Sequence, residues 1–401
     1  MAMAAAVHAD ETIRVVRDSY QVEFAQGITF HLEVAAAKTI ARVTLYYRQV
    51  GEGLTVKVPL TVRAGQSTFE HTWALESGDI PVGALMEYYW RIADDAGDEV
   101  RTAPVPFAYD DDRFTWKALT EGNVTLFWYG TDERDAQRLL GYALESLTRL
   151  QEQMGVTVNQ PIRMYVYQSK SDMSPALPRM SDAYDDRILT LGVVVDEGTL
   201  LILGPHPDVE PTIAHELAHV VVGLATDNPY AELPRWLDEG LAMYAEGEIP
   251  ADNKRELEAA IRRDGLISVR SLSGYTGDPE EVNLFYGEVY SLVDFMLKTY
   301  GREKIGQLLD AIRKGLYQEE ALQQVYGFGL DELDRLWRES LGLGPRKTPT
   351  PGTTPVVQQP AATPVAQEPG TRPSLPCPAQ SLSGLFALAI ALGWRRHARA
   401  A

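Results

Sequence analysis

The chain has 401 residues, of which 45% are apolar and 23% are charged, so it is long enough for two or three globular domains with buried cores. Its formal net charge of −19 argues against a nucleic-acid partner, because phosphate binding needs a basic face. The single cysteine, Cys377, lies close to the C-terminus. The residues before it therefore form no disulfide and supply no cysteine ligand to a metal.

The first ten residues have two interpretations. Val7 and Ala9 show the small-residue spacing of a signal-peptidase site. On that basis residues 1–10 are the remnant of a signal peptide that begins upstream. The alternative is an alanine-rich leader without structure.

Residues 11–112 predict an all-β module. Apolar residues alternate with others over 28–34, 43–47 and 54–60, and a further strand is predicted over 86–92. A period of two is typical of strands with one buried face, and the sequence at 94–97 (DDAG) predicts a turn. Strands at this spacing indicate a β-sandwich. The segment resembles bacterial immunoglobulin-like or fibronectin-type-III-like modules.

Residues 113–343 predict an α+β domain. Apolar residues at helical spacing over 134–154, after the capping candidates Thr131 and Asp132, predict a helix. Strands are predicted at 162–167, 188–195 and 199–203, and mainly helices from there to residue 341. A few strands followed by helices are typical of the α+β class, so the whole chain is predicted to be multidomain.

The C-terminal residues predict a spacer and a short anchor. Residues 344–380 are rich in Pro, Thr and Gln, and residues 382–394 are apolar or small, which is fewer than the roughly 20 residues that span a bilayer. A basic cluster follows. The order resembles bacterial sorting signals, with Cys377 at the processing or attachment point; the alternative is a weakly amphipathic tail. Segment 381–401 is therefore predicted to contact a membrane.

This tail also predicts the location of the protein. Because the basic cluster would stay on the cytoplasmic side, the rest of the chain is predicted to be extracytoplasmic. It would be held at a bacterial cell surface or membrane, or be secreted.

The segment 209–223 predicts a helix that contains His215-Glu216-Leu217-Ala218-His219. Residues four apart project from one face, so both imidazoles can bind one zinc ion at ~2.0–2.1 Å. Glu216 is rotated about 100° from His215, so its carboxylate can reach a zinc-activated water without being a ligand. This pattern is used by zinc peptidases. The alternative is a helix whose histidines are merely polar surface or core residues.

A third ligand follows twenty residues beyond His219. The sequence over 236–242, WLDEGLA, predicts a second helix that carries Glu239. Two histidines, one glutamate and a water form a known catalytic zinc set.

These two motifs, HELAH and WLDEGLA, carry a resemblance to gluzincin-type zinc metallopeptidases, most of all to the bacterial peptidase-MA-like family. The resemblance covers residues 113–343 and implies a zincin-like fold with a helical C-terminal part. It implies one Zn²⁺ held by His215, His219 and Glu239, with Glu216 as the general base.

A metzincin site is excluded by the residues that follow the motif. It would need glycine at position 222 and a third histidine at 225, where this chain has Val222 and Ala225.

The sequence departs from the best-known gluzincins in two places. Those enzymes often carry an aspartate four residues after the ligand glutamate, where this chain has Met243, so Asp238 becomes the candidate that orients a ligand histidine. They also use a downstream histidine or tyrosine to stabilise the tetrahedral intermediate. Tyr286 and Tyr290, one turn apart on a helix predicted over 281–300, are the candidates here. The alternative is that both rings pack in a core.

The sequence therefore predicts a zinc-dependent endopeptidase that hydrolyses a peptide or protein through a metal-activated water. By the same resemblance, the strand near 200–203 is expected to be the sheet edge that takes the substrate as an added strand. A non-catalytic surface-binding or adhesion module on a degenerate peptidase fold is the alternative. A zinc hydrolase of a non-peptide amide would use the same residues.

Overall fold

The computed structural model of the chain describes residues 12–51, 53–177, 191–196, 198–226, 233–274 and 281–346. The predicted leader at 1–10, the spacer from residue 347 onward and the predicted anchor at 381–401 lie outside the described residues. Within the described residues, no helix is both long and apolar enough to cross a membrane.

The N-terminal region consists of two antiparallel sheets that share one core, which confirms the prediction of an all-β region. The first sheet has the order β1-β2-β5 and the second the order β4-β3-β6-β7, with β8 also paired to β6. Phe30 of the first sheet stacks on Tyr47 of the second at 5.5 Å between ring centroids. The strands are β1 (Ile13–Glu23), β2 (Gly27–Ala36), β3 (Ile40–Gln49), β4 (Val56–Leu60), β5 (Thr68–Ala74), β6 (Ala84–Asp94), β7 (Glu99–Arg101) and β8 (Val105–Tyr109).

A third sheet begins the second part of the chain. Its strands, β9 (Lys117–Glu121), β10 (Val124–Trp128), β11 (Ile162–Tyr167), β12 (Gly192–Asp196) and β13 (Thr199–Leu203), have the order β12-β13-β11-β10-β9. Strands β10, β11 and β13 are parallel, and β12 and β9 are antiparallel at the two edges.

The prediction that the strand near 200–203 is a sheet edge is wrong. Strand β13 pairs with β11 on one side and with β12 on the other, and all five of its residues are buried. A continuous apolar run is typical of a strand that is covered on both faces. Among the described strands, β12 is the edge on this side of the sheet, and it folds back along β13 as a hairpin.

Helices cover one face of this sheet and form most of the rest of the chain. They are α1 (Glu133–Met154), α2 (Lys170–Met173), α3 (Val209–Thr226), α4 (Arg235–Glu246), α5 (Ala251–Arg263), α6 (Val282–Tyr300), α7 (Arg302–Arg313), α8 (Gln318–Tyr326) and α9 (Leu330–Ser340). The predicted cap of α1 is Asp132, whose carboxylate accepts a hydrogen bond from the Arg134 N–H at 2.8 Å. Helices α1 and α3 pack on the sheet and on each other around the larger core.

The other face of the sheet packs on the N-terminal β region. Tyr165, Tyr167, Leu201 and Leu203 belong to the same buried cluster as the strands β1 to β8. The Tyr167 hydroxyl donates to the Asp111 carboxylate at 3.0 Å across this contact. The third sheet therefore lies between the helices and the β region, and each face of it is covered.

Candidate metal centre

Helix α3 has one face in the core and another that carries the predicted ligands. Ile213, Leu217 and Val220 are 0–1% exposed and pack in the larger core. The side chains of His215 and His219 are 17% and 12% exposed and lie one turn apart. The helix is thus fixed by its apolar face and presents both imidazoles from the other.

Helix α4 packs against α3 and against α6. Gly240 allows α4 to lie close against α6, because a Cβ at this position would lie 2.7 Å from the Val289 carbonyl oxygen of α6. The indole N–H of Trp236 donates to the Gln318 side chain at 3.1 Å and ties the start of α4 to α8. These contacts bury Glu239, which is 3% exposed, opposite the two histidines.

The three predicted ligand atoms converge. The Nε2 atoms of His215 and His219 are 3.2 Å apart, and Oε2 of Glu239 lies 3.7 Å and 3.8 Å from them. A triangle with these sides has one point about 2.1 Å from all three atoms, which falls within the ~2.0–2.2 Å of Zn–N and Zn–O bonds. Of the described residues, these three form the one His/Cys/Asp/Glu group that could hold a metal ion.

The hydrogen bonds of the site show that its centre suits a cation. The Nδ1 atoms of His215 and His219 lie 2.7 Å from Glu246 and 2.9 Å from Asp238, so each Nδ1–H donates to a carboxylate. When it carries no proton, each Nε2 directs a lone pair toward the other two ligand atoms. Oε2 of Glu239 is buried with no hydrogen-bond partner among the described residues. Three electron-pair donors facing one point fit a metal ion.

Of the two carboxylates that accept from the histidines, the sequence predicts Asp238 but not Glu246. Asp238 was predicted to orient a ligand histidine, and its Oδ1 atom lies 2.9 Å from Nδ1 of His219. Glu246 was missed, although it lies seven residues after Glu239 and hence on the same face of α4. That two-turn spacing is the signal that could have found it. Met243, at the position where the resemblance to gluzincins implies an aspartate, is buried in the core.

The carboxylates around the site change the proton affinity of the histidines. Burial lowers the pKa of His219, but Asp238 and Glu239 outweigh burial and raise it to about 10 in the metal-free chain. Burial also lowers the pKa of His215, and the hydrogen bond to Glu246 outweighs it, so that this pKa is raised too. Because a proton and a metal compete for the same Nε2 lone pairs, metal binding releases protons.

Glu216 lies between helix α3 and the edge strand β12. A Cβ added to Gly192 of β12 would lie 2.7 Å from Cγ and 3.0 Å from Oε1 of Glu216, so the strand passes directly over this carboxylate. Burial raises the pKa of Glu216, while His215 and His219 lower it. A buried carboxylate with a raised pKa is suited to accept and return a proton near neutral pH.

The two predicted tyrosines lie on α6. The Tyr290 hydroxyl donates to the backbone carbonyl of Gly247 at 3.2 Å, immediately after α4, and its ring lies 6.1 Å from that of Tyr244. The Tyr286 ring packs against the larger core next to Phe285. Tyr290 is thus held one residue beyond Glu246, at the C-terminal end of the helix that carries Glu239.

The comparison with protein families identifies the class of this domain. A model of the Peptidase MA superfamily matches residues 142–342, half of the chain, and includes the whole candidate site. The chain belongs to the Peptidase MA superfamily. This confirms the resemblance to peptidase-MA-like proteins, and the gluzincin type and the immunoglobulin-like module remain predictions.

Two similar solved structures are of proteins from Deinococcus radiodurans and Idiomarina loihiensis. An M1 zinc metallopeptidase from Deinococcus radiodurans is 14% identical with a TM-score of 0.37, over 82% of this chain and 92% of that one. An aminopeptidase N family protein from Idiomarina loihiensis is 11% identical with a TM-score of 0.32, over 80% and 70% of the two chains. No curated protein matches the chain in sequence.

Proposed function

We propose that the chain is a zinc-dependent peptidase in which His215, His219 and Glu239 hold the metal and Glu216 is the general base. The observation that carries the proposal is the buried Oε2 atom of Glu239, which has no hydrogen-bond partner among the described residues and faces two imidazole Nε2 atoms. A proton or a metal ion is the species that this arrangement needs. The distances suit zinc.

The residues of the chain divide the chemistry between them. When bound, zinc supplies a Lewis acid that polarises the substrate carbonyl and makes water more acidic. Glu216 takes a proton from the attacking water and returns it to the leaving amine. Its place beneath β12 shields it from bulk water and brings it beside a substrate on that strand. Asp238 and Glu246 hold the imidazoles in the tautomer whose Nε2 is free.

The proposed substrate is an extended peptide on the outer edge of β12, which no described strand covers. An edge strand offers unpaired N–H and C=O groups, which a peptide can use as an added strand. Gly192 stands where β12 passes Glu216, so a peptide paired there would bring its main chain next to the general base. We further propose cleavage within a chain, which hydrolysis of peptides blocked at both ends would test.

Tyr286 and Tyr290 stay proposed donors to the developing oxyanion. Tyr290 is favoured because its hydroxyl reaches the Gly247 carbonyl just after α4, the helix that carries Glu239, and it would donate to an oxyanion by exchanging that hydrogen bond. Removing a single oxyanion donor costs roughly 10²–10³-fold in kcat. Tyr290→Phe and Tyr286→Phe, measured for kcat and zinc content, separate a donor from a packing residue.

We also propose that the protein acts outside the cytoplasm, held at the surface of a bacterial cell. The proposal rests on the composition of residues 344–401 alone. Fusion of residues 344–401 to a reporter protein tests it: recovery of the reporter in the membrane or wall fraction supports the proposal, and recovery in the cytoplasm opposes it.

The experiment that tests the proposed function compares the full chain with Glu216→Gln and Glu210→Gln. Glu210 is the matched control, because it lies on the same helix but is exposed and pairs with Arg138 at 2.7 Å. We expect one zinc per chain in all three, and peptide hydrolysis in the native chain and the control only. Zinc in all three with hydrolysis in none would favour the binding module. An absence of zinc would refute the ligand assignment.

A further inference from the structure

The ligand carboxylate has a second partner besides the predicted metal. One guanidinium nitrogen of Arg235 lies 2.5 Å from Oε1 of Glu239. The side chains of Arg235 and Glu239 are 15% and 4% exposed, so the pair is mostly out of solvent. The two oxygens of Glu239 therefore have different surroundings: Oε1 holds the guanidinium, and Oε2 faces the imidazoles.

We propose that Arg235 is a positioning residue that restricts Glu239 to one metal-binding oxygen. A free carboxylate can bind a cation through one oxygen or both, and it can rotate between the two. Because Arg235 occupies Oε1, only Oε2 is directed at the point equidistant from the two Nε2 atoms. The inference rests on the proposed function, since it assumes that this point holds a metal.

Burial distinguishes this contact from an ordinary helix salt bridge. Arg235 and Glu239 are four residues apart on α4, a spacing that forms exposed pairs elsewhere in the chain. Lys298 and Asp294 on α6 show the common form, with side chains 73% and 23% exposed. An exposed pair of that kind is screened and contributes little, whereas a buried charge-assisted hydrogen bond fixes the orientation of its partner.

The charges of the site give Arg235 a second role. Four carboxylates surround the two imidazoles: Glu216, Asp238, Glu239 and Glu246. A divalent cation alone would leave this group strongly negative. Among the described residues, Arg235 is the cationic side chain that contacts a predicted ligand carboxylate. Its charge offsets part of the negative charge without occupying an Nε2 atom.

The test uses the full chain with Arg235→Met and Arg235→Lys. Methionine keeps the apolar part of the side chain but removes the charge and the donors, and lysine keeps the charge with a single point of contact. Arg138→Met is the matched control, because Arg138 makes an arginine–glutamate pair to Glu210 at the start of α3, far along the helix from His219. Zinc affinity is measured by competition with a chromophoric chelator.

We expect zinc affinity to fall most in the variant that loses the contact with Glu239 completely. Removing a partner of a metal ligand typically weakens metal binding by about 10- to 100-fold, and we expect Arg235→Met to fall in that range. Lysine should recover part of the loss, and Arg138→Met should bind like the native chain. The cobalt(II)-substituted Met variant should absorb more weakly in the visible range, because a carboxylate released to bind through both oxygens raises the coordination number.

Two results would overturn the inference, and they are distinguishable from failure of the proposed function. A folded Arg235→Met variant with native zinc affinity and a native cobalt spectrum would show that Arg235 does not position Glu239. If Arg235→Met fails to fold, the Arg235→Lys variant decides. Native zinc affinity and a native cobalt spectrum in that variant, together with a lowered melting temperature of the metal-free protein, would show that Arg235 has a purely structural role. If the native chain itself binds no zinc, the proposed function fails and the inference with it.

Discussion

Strand β12 leaves space for the Glu216 side chain at Gly192, which has no Cβ. A side chain at this position should lower the proposed peptidase activity without loss of the metal. A Cβ on Gly192 would lie 2.7 Å from Cγ of Glu216 and 2.7 Å from Cγ2 of Thr212. Carbon atoms in ordinary contact are ~3.5–4.0 Å apart, so Gly192→Ala demands a shift of about 1 Å. Either the Glu216 side chain or the strand must move by that distance.

The expected cost follows from the size of this shift. A misplacement of about 1 Å in a catalytic group costs on the order of 10²-fold in rate, which corresponds to about 2.7 kcal/mol of activation free energy. Glu216 is not a proposed ligand, so zinc affinity should stay within a factor of about two of the native value. Gly192→Ala is therefore expected to lower kcat/KM about 100-fold in a protein that still holds its metal.

The assay is steady-state hydrolysis of a doubly blocked peptide, with zinc content measured on the same samples. Gly223→Ala on α3 is the matched control, because a Cβ there would meet nothing within 4 Å. The double variant Gly192→Ala/Thr212→Ser should recover part of the activity. Serine removes Cγ2 but keeps the hydroxyl that donates to the Asp208 carbonyl at 2.7 Å.

Unchanged kcat/KM in a folded Gly192→Ala variant would refute this reasoning, because it would mean that the strand yields freely and does not constrain Glu216. Equal losses of zinc and activity would also refute it, since the overlap would then act through the ligands.

Three further predictions concern Glu246 beside the site, the buried Glu288 on α6 and the face of the third sheet that the β region covers. Glu246→Gln should weaken zinc binding by about 10- to 100-fold, since His215 loses a charged acceptor at 2.7 Å; unchanged affinity in a chelator competition would contradict this role. Burial raises the pKa of Glu288 to about 8, above its ordinary 4.5, although the Ile267 N–H lowers it. Between these two pKa values the folded chain keeps a proton on Glu288 that the unfolded chain has released. The contribution of Glu288 to the free energy of unfolding is therefore complete below about pH 4.5 and is lost as the pH rises to about 8. Urea unfolding should show this fall in the native chain and not in Glu288→Gln, and parallel pH profiles would contradict it. Residues 113–346 expressed alone should aggregate or bind a hydrophobic dye, because one face of the third sheet loses its cover; a stable monomer would show that this face needs none.

Local patterns in the sequence were sufficient for most elements. Alternation predicted β2, β3 and β4, and helical spacing with its cap at Asp132 predicted α1. These patterns succeed because side-chain periodicity reports which face of an element is buried, and both features lie within one element. The order of strands in the third sheet was not predictable in this way. Strand β13 reads as an apolar run whether it is an edge or an interior strand, and only its pairing with β12 decides.

In the candidate site, too, spacing within one helix is predictable from the sequence and packing between helices is not. Spacing of four residues on one helix places His215 and His219 together, and no tertiary contact is needed for that. The sequence could only propose Glu239, because its distance from the histidines depends on how α4 packs on α3 and α6. The structure brings its Oε2 atom to 3.7 Å and 3.8 Å from the two Nε2 atoms.

The sequence by itself therefore determined the HELAH motif, the order of β and helical regions, and the acidic character of the chain. Tertiary structure alone decided which residues surround that motif: Glu246 beside His215, Gly192 over Glu216, and Arg235 on Glu239. It also decided that the β region covers one face of the third sheet. The reason is physical. Periodicity is a property of one element, whereas a partner contributed by another helix or strand depends on packing between elements that are distant in the chain.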